Sequence, residues 1–155
     1  MRGARQTDLE ALDDALRLAP TLTPELFREV MEKAGARFSS LHQAGKATRI
    51  DRFIESHAWA DAAFVLIELA VPKWTVRRII RADAARWYCS LSQQPNLPIE
   101  LDDAAEGSHE VLPLAVLRAF VAARRRDAVA PQAVSAVPQI RPASEGFVYC
   151  CDNYL

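Results

Sequence analysis

Glycine is scarce in this chain, with five residues among 155, and no two are adjacent. That leaves no Gly-rich loop to cradle a phosphate and no Gly-x-Ser-x-Gly turn to expose a nucleophilic serine. Histidine is scarcer still. His42, His57 and His109 are scattered, without the His-x-x-x-His or His-Glu-x-x-His spacing of a metal site, and read as surface or capping residues. Three cysteines are too few for a disulfide framework and imply thiols. Cys150-Cys151-Asp152 has no histidine or second cysteine pair at ligand spacing, so no metal and no cofactor is expected. Asp102-Asp103 reads as a pair of helix-dipole partners rather than as a divalent-cation site. No run approaches the roughly 20 apolar residues of a membrane helix, so no membrane partner is expected. The opening MRGARQTDLEALDD lacks an apolar leader core, which makes the cytoplasm the expected location.

Lysine is also rare, at 3 against 16 arginines. Coding bias in a GC-rich bacterium explains this first. A capacity for planar anion recognition explains it second. Half the residues are apolar and a quarter are charged, the balance of a soluble globular chain of one domain. A net charge of −1 argues against coating nucleic acid or an anionic membrane.

What the chain does contain is helical periodicity and one strong hairpin pattern. Thr7-x-x-Glu10 is a capping box, with Leu9, Leu12 and Leu16 behind it and Pro20 beyond the end. Thr23-Pro24-Glu25 is a second start signal, followed by Leu26, Phe27, Val30, Met31, Ala34, Phe38 and Leu41 at helical spacing. Gly35 either divides that run or sits inside it. Thr48 opens a further short helix. Residues 59–70 are apolar on almost every side, with only Asp61 and Glu68 as acids, and read as a buried helix ended by Pro72.

Residues 74–81 and 86–92 then alternate with period two. A turn centred between Asp83 and Ala84, with a four-residue loop preferred over a two-residue one for want of an Asn-Gly or Asp-Gly pair, puts Trp74, Val76, Ile80, Trp87, Cys89 and Leu91 on one face. The other face carries Thr75, Arg77, Arg81, Arg86, Tyr88, Ser90 and Ser92, with Ile79 its one aliphatic residue. Arg78 falls on the apolar face, where a guanidinium needs a partner; Glu68 is the candidate for a buried ion pair. Two strands need a cover, and the apolar helix before them is the obvious one. Residues 93–108 read as loop. A helix capped by Ser108 runs to about Arg126, with an apolar arc wide enough to touch the hairpin and a second helix or a second subunit.

The segments are therefore an N-terminal helix at 1–22, a helix-plus-hairpin core at 23–126, an Ala/Pro linker at 127–145 and an aromatic segment at 146–155. The expected fold class is α+β: mostly helical, with one antiparallel hairpin under helices. A third strand from the last segment stays open, because its alternating aromatics suit addition to a sheet edge, in the same molecule or in a partner.

Lys73, Arg77, Arg78, Arg81 and Arg86 against Asp83 give the hairpin a net +4, and Glu100, Asp102, Asp103, Glu106 and Glu110 carry −5 just after it. Such patches attract each other within or between subunits. An exposed Arg/Tyr face can also hold a phosphate backbone and stack a base. Arg124-Arg125-Arg126 closes a helix, where cations suit the dipole.

Four strings carry a resemblance: Ala58-Trp-Ala-Asp-Ala-Ala63, Trp87-Tyr-Cys-Ser-Leu-Ser92, Pro95-Asn-Leu-Pro98 and His109-Glu-Val-Leu-Pro-Leu114. Through them, and through the Cys-Asp-Asn-aromatic ending, residues 43–126 resemble a family of small uncharacterised alphaproteobacterial proteins. The resemblance implies no activity. The expected function is a non-enzymatic cytoplasmic interaction or regulatory protein that self-associates or binds a protein partner. The alternative is a nucleic-acid-binding regulator using the hairpin. The interaction candidates are Arg77, Arg81, Arg86, Tyr88, Phe147, Tyr149 and Tyr154, with no catalytic residue assigned.

Overall fold

Thr23 caps a helix as its sequence implies. Its side-chain oxygen accepts the Leu26 N–H at 3.3 Å, and Pro24 takes the first helical position, where no donor is missed. The computed structural model describes residues 2–35 and 41–129. Among these, the helices are α1 (Arg2–Leu18), α2 (Pro24–Ala34), α3 (Leu41–Glu55), α4 (Trp59–Ala70) and α5 (Leu112–Val129). Strands β1 (Thr75–Ala82), β2 (Arg86–Ser92) and β3 (Ala105–His109) form an antiparallel sheet in that order, with a short 3₁₀ turn at Ile99–Leu101. The fold is α+β, mostly helical, with the expected hairpin.

Two expected helix starts are not starts. Helix α1 is under way from Arg2, and the Thr7 hydroxyl donates to the Gly3 carbonyl one turn back, at 2.9 Å. Thr48 does the same inside α3, donating to the Ala44 carbonyl at 3.0 Å. A threonine can satisfy its hydroxyl within a helix as well as at its cap, so the residue type alone does not locate the first turn. Gly35 does end α2, its N–H returning to the Met31 carbonyl. Helix α3 closes on His57, which sits in the left-handed region at φ 58°. The Ala58 N–H reaches the Phe53 carbonyl at 2.8 Å and the His57 N–H reaches Ile54 at 3.1 Å. This is the helix-ending motif that glycine usually completes.

The apolar α4 packs on α3 and α5. The main cover of the sheet is α5, which lies across β2 and β3, and not α4 as expected. Helix α5 also meets α1, α4 and α2, so its wide apolar arc is buried by its own chain. Leucines 9, 12 and 16 of α1 join Phe27, Ile50, Leu66, Leu91, Leu117 and Phe120 in one core cluster. A single guanidinium ties three elements together. Arg118 donates from Nε and Nη2 to the two Asp13 carboxylate oxygens at 2.9 and 3.2 Å, and from Nη1 to the Ser108 carbonyl at 2.6 Å.

Strand β3 lies within the stretch expected to be loop, and Ser108 belongs to it instead of capping α5. Its sequence, Ala-Glu-Gly-Ser-His, has no β-branched or aromatic residue to signal a strand. Gly107 shows what selects it. A Cβ there would lie 2.3 Å from the Ala119 nitrogen and 2.5 Å from the Ala115 oxygen. The strand is pressed directly on the α5 backbone, and only a residue without a side chain allows that approach. Segment 146–155, and the third strand expected from it, lie outside the described residues.

Candidate interaction surface

The hairpin register departs from the expected one partway along β1. Thr75 opposes Ser92 and Val76 opposes Leu91, as the alternation implies. A bulge then leaves Arg77 as an extra residue, and Arg78 opposes Ser90, Ile79 opposes Cys89, Ile80 opposes Tyr88 and Arg81 opposes Trp87. The connecting loop is three residues, Asp83 to Ala85, and not the expected four, with Asp83 in the left-handed region at φ 54°. Strand β2 keeps its assigned faces. Strand β1 inverts its own beyond the bulge, so Ile79 turns to the core side and Arg78 and Ile80 turn outward. Burial does little to prevent this, because α5 lies mainly over β2 and β3 and no residue of the edge strand β1 is fully buried.

The four hairpin arginines consequently have different surroundings. Arg77 is largely buried and ion-pairs with Asp102, and its second nitrogen donates to the Leu97 carbonyl at 2.6 Å. The other Asp102 oxygen accepts the Ser92 hydroxyl at 2.8 Å, and that hydroxyl accepts the Gln94 N–H at 2.9 Å. This network pins the loop before β3 to the end of the sheet, and it takes Arg77 out of any external surface. Arg81 lies over Trp87, 5.7 Å from the ring centroid, and donates to the Ala84 carbonyl at 2.9 Å, bracing the turn. Arg78 is exposed and outward, and Glu68 is exposed and 3.7 Å from Lys46. The buried Arg78–Glu68 pair is therefore absent, because the bulge removes Arg78 from the apolar face. Arg86 is exposed at the start of β2, beside a hollow of about 400 Å³ that Arg17, His109 and Arg118 also line.

Arg78, Arg86 and Tyr88 do share one face, the outward one, opposite α5. No carboxylate among the described residues lies within ion-pairing distance of Arg78 or Arg86. Ile80 and Tyr88 stand side by side on it, 38% and 37% exposed, with Ser108 next to them on β3. The neighbouring row reads Arg78, Ser90, Glu106 across the three strands. The apolar member Ile80 and the anion Glu106 escaped the sequence pattern. The one needed the bulge, and the other lies on a strand without strand chemistry.

Phe147, Tyr149 and Tyr154 lie outside the described residues. Among the described residues, no three His, Cys, Asp or Glu side chains come together as metal ligands. No helix among them is long and apolar enough to cross a membrane. Cys89 is buried on the core face, and burial pushes its thiol up to about 12, which keeps it protonated and a poor nucleophile. His109 accepts the Val111 N–H on Nδ1 at 2.9 Å, a local role at the entry to α5. No family model matches the chain, and no curated protein and no solved structure is similar to it.

Proposed function

We propose that this protein is a non-enzymatic cytoplasmic interaction or regulatory protein that associates with a second copy of itself through the outward face of its sheet. The observation that carries the reading is the composition of that face. Ile80 and Tyr88 form an exposed apolar pair, and the adjacent row runs from a cation on edge strand β1, Arg78, to an anion on edge strand β3, Glu106. A two-fold axis parallel to β2 lays the face on itself, setting Arg78 of each copy above Glu106 of the other and bringing the two Tyr88 rings together. Such an interface is isologous, and opposite charges at its rim set the register. The buried, unpaired thiol of Cys89 suits a reducing compartment and supports the cytoplasmic part of the reading. Membership of the alphaproteobacterial group that residues 43–126 resemble belongs to the same proposal and adds no activity.

Sedimentation over a concentration series tests it. Wild type should dimerise, Arg78→Glu should weaken the dimer by roughly tenfold, and Arg78→Glu with Glu106→Arg should restore it. A wild-type chain that remains monomeric at about 1 mM, where even a 4 kcal/mol association would register, removes self-association.

A second reading takes the face as a nucleic-acid surface, with Tyr88 as a stacking platform between two cations that have no acid partner among the described residues. Arg78→Ala with Arg86→Ala should then weaken binding to single-stranded DNA and flatten its salt dependence by a slope of about 1 to 2. Equal binding by wild type and variant at low and high salt disposes of it.

A further inference from the structure

A groove of about 710 Å³ lies at the end of the sheet away from the hairpin turn. Trp74, just before β1, and Gln93 and Gln94, just after β2, form one side; the last turns of α5 form another. Trp74 is buried, and its Nε1–H donates to Asp127 at 3.0 Å, so the one polar atom of the indole is already engaged. Leu101 and Val129 also line the groove, and they are 71% and 69% exposed, among the most exposed large apolar residues described. Gln6 Oε1 and Arg125 Nε, on side chains that line it too, are buried without a hydrogen-bond partner among the described residues. Apolar side chains left in water around a concave site, with polar atoms unanswered beside them, describe a site that lacks its occupant.

We propose that the occupant is residues 146–155 of the same chain, Gly-Phe-Val-Tyr-Cys-Cys-Asp-Asn-Tyr-Leu. The chain itself supplies the first reason. Its described part ends at Val129, on the groove, so the remaining residues set out from the site they are to fill. Sixteen residues, 130–145, intervene. Even as a coil they reach on the order of 20 Å, enough to return, and such a tether holds the segment at an effective concentration of about millimolar. Size agrees, because a groove within the range of about 300–1,000 Å³ holds a ligand of drug size, comparable to two aromatic side chains and the backbone between them. Phe147 and Tyr149, two residues apart, fall on one side of an extended segment and suit the apolar rim. The glutamine amides suit its backbone groups. This contact uses neither Ile80 nor Tyr88, so it stands apart from self-association through the sheet.

The cysteines of the segment provide the test. In the full-length chain, Leu101→Cys places a thiol on the groove, and Leu18→Cys places one at the other end of the sheet, beside the hollow that includes Arg86, on a residue just as exposed. Leu101 lies nearer the start of the tether than Leu18, so docking is read as the part of the preference that loss of the two aromatics removes. Under copper–phenanthroline oxidation in dilute solution, mass spectrometry should find the disulfide from Leu101→Cys to Cys150 or Cys151 forming about tenfold faster than that from Leu18→Cys. Adding Phe147→Ala and Tyr149→Ala should remove most of the preference, and a preference left unchanged by them would overturn docking. Equal rates from the two positions would overturn the proposal, and so would linkage confined to pairs of chains.

Discussion

His57 holds a backbone conformation that costs an L-residue about 1–2 kcal/mol, and it does so because α3 must turn sharply into α4. Its ring lies edge-on to Trp59 with centroids 5.6 Å apart, a partial return on that strain. His57→Gly relieves the strain, loses the ring contact and gives entropy to the unfolded chain. The expected balance is a gain of about 0.5 kcal/mol, read as a higher urea midpoint; a lower midpoint would show that the ring contact outweighs the strain. Cys89 makes a different statement about its surroundings. Its folded thiol titrates at about 12, above the ordinary thiol range, so the unfolded chain gives up that proton first. With fewer protons on the unfolded state, this contribution to stability is full below the unfolded pKa and is lost as pH rises toward 12. By pH 10 the loss should be on the order of 1 kcal/mol, and Cys89→Ala should remove that part of the decline. Identical pH slopes for wild type and variant between pH 8 and 11 would contradict it.

Strand β1 shows why an element can be legible while its faces are not. The alternation of residues 74–92 located both strands to within a residue, and it assigned every residue of β2 to its face. It assigned β1 correctly only as far as Val76. Period two decides a register when one face is buried, and β1 has no fully buried residue on either face. The bulge at Arg77 follows a different constraint, the reach of a guanidinium to Asp102 across 25 residues. The side chains of that pair are 16% and 5% exposed, so each alone would be a poorly hydrated charge. Arg77→Ala and Asp102→Asn should each destabilise by about 2–3 kcal/mol, and the double variant by clearly less than their sum. Additive losses would mean that the two side chains do not act together. Strand β3 marks the opposite case: its pairing and its glycine are settled by contact with α5, and no local residue preference signals it.

At the scale of the molecule, α5 is the piece on which the rest is assembled, with the sheet on one side and α1, α2 and α4 around the others. Arg118 carries that arrangement in one side chain, bridging Asp13 of α1 and the Ser108 carbonyl of β3. Arg118→Lys keeps the charge but loses the planar fork, and it should cost about 1–3 kcal/mol, with amide exchange in α1 rising more than in α4. Unchanged exchange in α1 would show that its leucines alone hold it in place. The sequence by itself determined the α+β class, the span of α4, the two hairpin strands and the capped start of α2. These rest on apolar periodicity, proline and side-chain caps, which act within a few residues along the chain. The tertiary structure alone decided which helix covers the sheet, that Ala105–His109 is a strand, and that Arg77 is spent on Asp102 while Arg78 faces water. Those outcomes depend on the backbone of one element lying against another, or on a long side chain finding a carboxylate far away in sequence, and neither distance is written in local spacing.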